Sequence, residues 1–281
     1  MENTTQLTKN VSENLIKTET PEAIPMVALR GKVILPNIST SFDVGREKSL
    51  RAIDKALSDE KDAILFVAAQ IDSSVEDPAV SDVFDIGVIC RIKHCSRMPG
   101  DNLRITVDAL YSAKLTQVVS EDEYFSVCVE ELVYDYGDEI QTEAYFRFVK
   151  DEMRNYFAAQ GLKTVKEPFS TILNLDNADA FVNAATYNLG FKEAEKQKIL
   201  EITSVKDKLY TFYELLTGEI EIAKAQKEIS EKVKVGIEKS QREYYLREQL
   251  KAIHSELGDD DDEREELEKK IKEKKMPAEV E

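Results

Sequence analysis

Residues 102–108 read Asn-Leu-Arg-Ile-Thr-Val-Asp, and their alternation decides the fold class. Leu103, Ile105 and Val107 point one way, and Arg104 and Thr106 the other. A period of two is that of a strand covered on one face. Working outward, Ile86, Val88, Cys90 and Ile92 alternate in the same way, and so do Phe125, Val127 and Val129. Residues 63–69 (AILFVAA) form a short continuous apolar run, as in a strand buried on both faces. Pro99-Gly100-Asp101-Asn102 marks a hairpin turn, and Asp77-Pro78 marks another break. One helix interrupts the series: after Gly45 and Arg46-Glu47-Lys48-Ser49, Leu50, Ile53 and Leu57 recur at helical spacing. From Ile24 to Val133 the chain therefore predicts an antiparallel barrel or an open β-roll.

After Gly137 the period changes to 3.6. Tyr145, Phe146, Val149, Met153, Tyr156 and Phe157 form a stripe that stops at Gly161. A second helix starts near Asp176, carries Phe181, Ala184, Ala185 and Leu189, and stops at Gly190. Lys192–Glu201 reads as a third. Ser204 caps a fourth, with Asp207 completing the pattern of a capping box and Leu209, Phe212, Tyr213 and Leu216 facing inward. The segments are then a polar tail (1–22), a β-rich subdomain (23–135) and a helical bundle (138–217). A long helix (218–257) and a second charged, coiled-coil-like helix (262–276) follow, separated by the acidic stretch Asp259–Asp262. In the long helix Ile222, Ile229, Val233, Ile237, Tyr244, Leu250, Ile253 and Leu257 recur at helical spacing among Glu, Lys, Arg and Gln. Glu228/Lys232, Glu238/Arg242 and Glu243/Arg247 are pairs four apart, each supporting a helix by ~0.2–0.5 kcal/mol. The apolar stripe is narrow for a core helix and suits a helical partner. Tyr244, Tyr245 and Leu246 are the candidate helix–helix contacts.

The chain has 281 residues, and 38 Lys and Arg stand against 55 Asp and Glu, for a net charge of −17. Such a surface repels phosphate backbones and anionic lipid, which argues against a nucleic-acid or membrane partner. No run approaches the ~18–20 apolar residues of a membrane span. Residues 1–20 lack the apolar core of a secretory signal. The cytoplasm is the expected compartment, and the sequons at Asn3 and Asn10 carry no weight there. Three cysteines make no disulfide framework.

Catalytic and cofactor motifs fail one by one. Neither a G-x-x-x-x-G-K-S/T nor a G-x-G-x-x-G occurs, so no loop cradles a nucleotide. Cys90, His94 and Cys95 are close in sequence, but strand alternation places Cys90 and His94 on one face and Cys95 on the other, against a zinc site. His94 and His254 are the two histidines, and no G-x-S-x-G elbow accompanies them. The expectation is no catalytic, cofactor or metal residue in this chain, which leaves binding.

Two stretches carry a family resemblance. Ile24–Arg30, Val33–Pro36 and Phe42-Asp43-Val44-Gly45-Arg46-Glu47-Lys48-Ser49 resemble the opening of the Lon protease N-terminal domain. EKSQREYYLREQLKAI (residues 238–253), with Glu256–Asp259 and Lys275-Met276-Pro277, resembles the long helix that follows it in bacterial Lon. The resemblance covers residues 24–281. It implies an α+β fold: a PUA-like antiparallel β-barrel, an all-α bundle and an extended helix. It also implies a substrate-recognition and assembly region of an ATP-dependent serine endopeptidase, whose ATPase (with ATP and Mg) and Ser-Lys peptidase parts are not in this sequence. The implied partners are unfolded or misfolded proteins and other Lon protomers in a homohexamer. A free-standing PUA-like binding or adaptor module is the alternative.

Overall fold

The computed structural model describes residues 23–58, 63–100, 102–159, 167–257 and 267–271. The expected tail (1–22), the Gly161 stop, the acidic stretch at 259–262 and the end at Met276-Pro277 lie outside these residues, as does Asp101. Of the expected helix over 262–276, only the helical residues 267–271 are described.

The first compact unit ends at Ile220. Its strands are β1 (Ile24–Leu29), β2 (Ile38–Val44), β3 (Ile64–Ala69), β4 (Ile86–Arg97), β5 (Leu103–Ser120) and β6 (Phe125–Glu131). They form one six-stranded sheet in the order β2-β5-β4-β3-β1-β6, with a further β5–β6 pairing. The 18-residue β5 explains this. One of its edges pairs with β4 from Leu103 to Lys114; the other pairs first with β2 and then, from Ala113 to Ser120, with β6. Strands β5, β4, β3, β1 and β6 pair in a ring, but β2 pairs only with β5 and leaves an edge, so the six-stranded sheet as a whole is not the closed barrel that was expected. Nor is it wholly antiparallel: β1 runs parallel to β3, with Met26 opposite Phe66 and Leu29 opposite Ala69.

The alternation is borne out. In β3, Leu65, Val67 and Ala69 enter one core together with Val27, Leu29, Val88, Cys90, Ile105 and Val107. Phe66 and Ala68 enter a second core with Met26, Ala28, Ile89, Phe125 and Val127. A strand buried on both faces needs an apolar residue at every position, and residues 64–69 supply it. Helix α1 (Glu47–Leu57) lays Ala52, Ile53 and Ala56 on the first core. Leu57 turns outward instead of completing that stripe. In β6, Cys128 is buried although the alternation assigns it to the polar face.

Gly87 stands where β4 passes β3. A Cβ there would lie 2.7 Å from Phe66 Cζ and 2.9 Å from the Ala68 Cβ, and closer still to the Val67 carbonyl oxygen. Only glycine allows that approach.

The helical part comprises α2 (Glu139–Ala159), α3 (Phe169–Leu173), α4 (Ala178–Asn188), α5 (Glu193–Glu201) and the start of α6 (Val205–Leu257). Asn177 caps α4 by accepting from the Ala180 N–H at 2.9 Å, and the Ser204 hydroxyl accepts from the Asp207 N–H at 3.2 Å. Both satisfy donors that a helix start leaves open. Phe146, Val149, Met153, Phe157, Phe181, Leu209, Phe212 and Leu216 fill the interior, whereas Tyr145 stays largely outside. The bundle packs on the sheet. Leu200 joins the first core, Glu193 accepts the Val33 N–H at 2.6 Å, Gln197 donates to the Ile86 carbonyl at 3.1 Å, and Tyr187 meets Thr40 at 2.5 Å.

The expected break between a bundle helix ending at 217 and a separate helix from 218 is absent, because Val205–Leu257 is one helix of 53 residues. Gly218 costs a helix interior only about 1 kcal/mol, and no proline follows it to end the helix. The second compact unit starts at Glu221. Within it, the helical residues 224–256 and 267–271 are exposed.

Candidate functional site

The expected contact residues lie in this second unit. Tyr244, Tyr245 and Leu246 are 68%, 63% and 48% exposed. On a helix that turns about 100° per residue, three consecutive side chains fan over about 200°, so they do not share a face. Most of the large apolar positions of the helix fall into two stripes, while Val235, upstream, points in the direction of the second. Ile222, Ile229, Val233, Ile237 and Tyr244 fall within about 80° of one another, and Leu246, Leu250, Ile253 and Leu257 fall within about 60°. The two stripes are rotated by roughly 130°. Leu246 thus belongs with the downstream stripe, Tyr244 with the upstream one, and Tyr245 with neither.

The first unit carries an open groove of about 670 Å³ between the start of α2 and the start of α4. Phe146 and Ala178, both buried, line it, and Tyr136 and Ile140 stand at its mouth. Ile140 is 82% exposed. The Phe146 ring is held edge-on by Phe181, with centroids 5.4 Å apart, and Lys150 lies over its face at 4.3 Å. Glu139, Glu143 and Asp176 also line the groove, and Arg147 is its one cation. Arg147 is taken by Glu143 at 2.6 Å. The groove offers an apolar wall under an acidic edge. Sequence reasoning missed it. Ile140 sits six residues before Phe146, about 240° around the helix and off the core stripe, and that misplaced isoleucine was the available signal.

Behind the groove lies a buried polar cluster. Lys208 of α6 donates to Asp179 of α4 at 2.5 Å, and Asn183 donates to the other carboxylate oxygen at 3.0 Å. The Tyr134 ring lies 4.8 Å from the Lys208 Nζ, and its hydroxyl meets Ser112 of β5 at 2.8 Å. Burial lowers the Lys208 pKa against the pull of Asp179, and burial raises Tyr134 to about 12. These groups join sheet and bundle.

The Cys90, His94 and Cys95 faces are the reverse of those expected. A register shift between Ile92 and His94 changes the phase of β4. Lys93 and His94 both face outward, while Cys95 packs against the same core as Cys90. Burial pushes the Cys90 thiol far above its usual range. Among the described residues no group of three His, Cys, Asp or Glu converges as a metal site, and no helix is long and apolar enough to cross a membrane.

The first unit is thus a mixed α+β domain with an open groove, and the second carries exposed apolar stripes. Residues 23–218 match the model of the ATP-dependent protease La (LON) substrate-binding domain, and the chain belongs to that family. It is 35% identical over 268 residues to the Lon protease of Clostridioides difficile, covering 92% of this chain and 34% of that protein. It is 31% identical to Lon protease 1 of Bacillus subtilis, covering 93% and 34%. The chain thus spans about a third of the length of the curated relatives it matches. The N-terminal domain of Mycobacterium avium complex Lon protease shares the fold, with a TM-score of 0.57 at 18% identity, over 70% of this chain and 98% of that one.

Proposed function

We propose that this chain is the client-recognition and assembly region of an ATP-dependent Lon-type serine protease acting on misfolded and regulatory proteins. In this reading the chain binds and does not cut. ATP and Mg²⁺ act on the ATPase part of such a protease, not on these residues, and the setting is the cytoplasm. The groove between α2 and α4 takes an apolar side chain of an extended client segment. The stripes of α6 that hold Tyr244 and Leu246 pack against the same helix in further copies, which in the whole protease form a hexamer.

One observation carries the docking role: an 82% exposed isoleucine beside an apolar-walled cavity of about 670 Å³. Burying an aliphatic side chain yields about 1.5–3 kcal/mol, and ligand pockets span about 300–1,000 Å³. A free-standing module has no use for the unpartnered stripes of α6, so they favour the protease reading. A photo-crosslinking side chain at position 140 tests it. An unfolded, carboxymethylated client should crosslink saturably and be displaced by a second unfolded protein, but not by a folded one. Labelling no stronger than from a probe at the exposed position 198 would overturn the assignment.

A further inference from the structure

The motif Val44-Gly45-Arg46-Glu47-Lys48-Ser49 does more than start a helix. A second cavity of about 540 Å³ opens at the start of α1, and Arg30, Lys32, Arg46 and Ser49 all line it. In a chain of net charge −17, these three cations have no carboxylate within salt-bridge distance among the described residues. Arg30 donates instead to the Ser73 carbonyl at 2.6 Å. Lys32 donates to Thr40 at 3.2 Å and to the Ser41 carbonyl at 2.9 Å. Arg46 donates to the Gln70 side chain at 2.8 Å. The one carboxylate in the lining, Asp43, is held from both oxygens by Arg104, at 2.6 and 2.8 Å. Burial and the neighbouring Arg30 both lower the Arg46 pKa, and together they outweigh the opposing pull of Asp77. The cavity thus gathers three cations against one lining carboxylate, Asp43, which Lys32 also attracts.

The helix start adds donors. Arg46 occupies the cap position and supplies no side-chain acceptor. The first intrahelical bond runs from the Leu50 N–H to the Arg46 carbonyl at 2.9 Å. The amides of Glu47, Lys48 and Ser49 therefore lack an acceptor among the described residues, at the positive end of the helix dipole, and of these three residues Ser49 lines the cavity. Ser49 is the independent sign of a ligand. It is only 5% exposed, it lines the cavity, and its hydroxyl has no hydrogen-bond partner among the described residues. Gly45 lets the Asn102 side chain, which also lines the cavity, approach closely, because a Cβ there would meet its amide oxygen.

We propose that this cavity is an oxyanion-binding site, in which Arg30, Lys32, Arg46 and the amide and hydroxyl of Ser49 hold a carboxylate or phosphate group. The space exceeds what a bare inorganic ion fills, so the group is borne on a larger body. The site is separate from the α2–α4 groove and does not depend on the client-docking reading.

Amide-resolved NMR titration of the 281-residue chain tests it. Inorganic phosphate, against chloride at matched ionic strength, should move the Arg30, Lys32, Arg46 and Ser49 amides saturably. A short peptide with a free C-terminal carboxylate should do the same better than its C-terminal amide. Ser49→Ala should weaken binding roughly tenfold, the loss of one hydrogen bond to a charged group. Arg30→Gln and Lys32→Gln, at sites less buried than Ser49, should each weaken it several-fold with the circular dichroism unchanged. A response to phosphate alone identifies phosphorylated ligands, and a response to the peptide acid alone identifies chain termini; either upholds the site. Shifts that follow only ionic strength, acid and amide peptides binding alike with phosphate silent, or all three variants binding as the parent does would overturn it.

Discussion

Asp179→Ala should be the most damaging single polar change in the first unit, with a size that follows from the burial of its partner. The Lys208 side chain is 0% exposed and that of Asp179 8%. Removing the carboxylate leaves an ammonium whose one remaining electrostatic partner among the described residues is the Tyr134 ring, 4.8 Å away. Breaking a buried pair from one side costs about 3–5 kcal/mol. An independent ceiling agrees: neutralising a lysine from ~10.4 to pH 7, at about 1.4 kcal/mol per pKa unit, costs about 4.6 kcal/mol. The pH dependence has a definite sign. Burial already lowers the Lys208 pKa, and Asp179 opposes that lowering; without Asp179 it falls further. Below that depressed value the penalty is complete. As pH rises from it toward ~10.4, the unfolded chain binds more protons than the folded one, so the penalty shrinks. Urea unfolding followed by tyrosine emission, at pH 7 and pH 9.5, measures both. Lys208→Met combined with Asp179→Leu should recover most of the loss, because an apolar pair of similar volume tolerates the site. A loss below about 1 kcal/mol for Asp179→Ala, or one that does not change with pH, would refute the argument.

Three further outcomes are expected. Gly87→Ala should destabilise the sheet by about 1–3 kcal/mol in denaturant unfolding, since the new methyl meets Phe66, Ala68 and the β3 backbone; a neutral variant would mean that β3 and β4 sit further apart. Cys90, buried and with its thiol raised by desolvation, should resist a thiol-reactive disulfide at pH 8 while the half-buried Cys95 reacts, and should label only after denaturation; mass spectrometry of the native adduct decides. The 281-residue chain should self-associate weakly in sedimentation at micromolar concentration, because each apolar stripe of α6 is narrow; a tight hexamer of this chain alone would contradict that.

The parts of the fold that were legible in the sequence are those in which one side of an element decides its residues. Residues 64–69 and the alternation through Ile105 and Val107 report their own burial, and so do the inward residues of α2, α4 and the start of α6. What escaped depends on pairing across the chain. Nothing local to Ile24–Leu29 says that it runs parallel to β3. A single extra residue near Lys93 reverses the faces of His94 and Cys95, because a period of two has no tolerance for a bulge. Lys208 reads as a solvated charge among Lys206, Asp207 and Tyr210 until its partner, 29 residues upstream, is seen at 2.5 Å. The cavities are likewise built from residues distant in sequence: Arg30 and Arg46 at one, Ile140 and Asp176 at the other.

The two stripes of α6 bear directly on how such a helix selects partners. On a straight helix of 3.6 residues per turn, the positions from Ile222 to Tyr244 and those from Leu246 to Leu257 face directions roughly 130° apart, so one straight partner cannot cover both. A heptad frame starting at Ile222 places Ile229, Leu250 and Leu257 in its first position and Leu246 and Ile253 in its fourth. The same frame puts Lys232, Gly236, Lys239 and Glu243 in the seam between them. Supercoiling to 3.5 residues per turn would therefore align the two ends but leave a polar, glycine-containing gap in the middle. Polar seam residues lower the stability of a coiled coil and sharpen its register and partner choice. The helix is consequently better suited to conditional pairing at either end than to a permanent two-stranded rod. Tyr244, at the edge of the gap, then closes the upstream stripe, and Leu246 opens the downstream one.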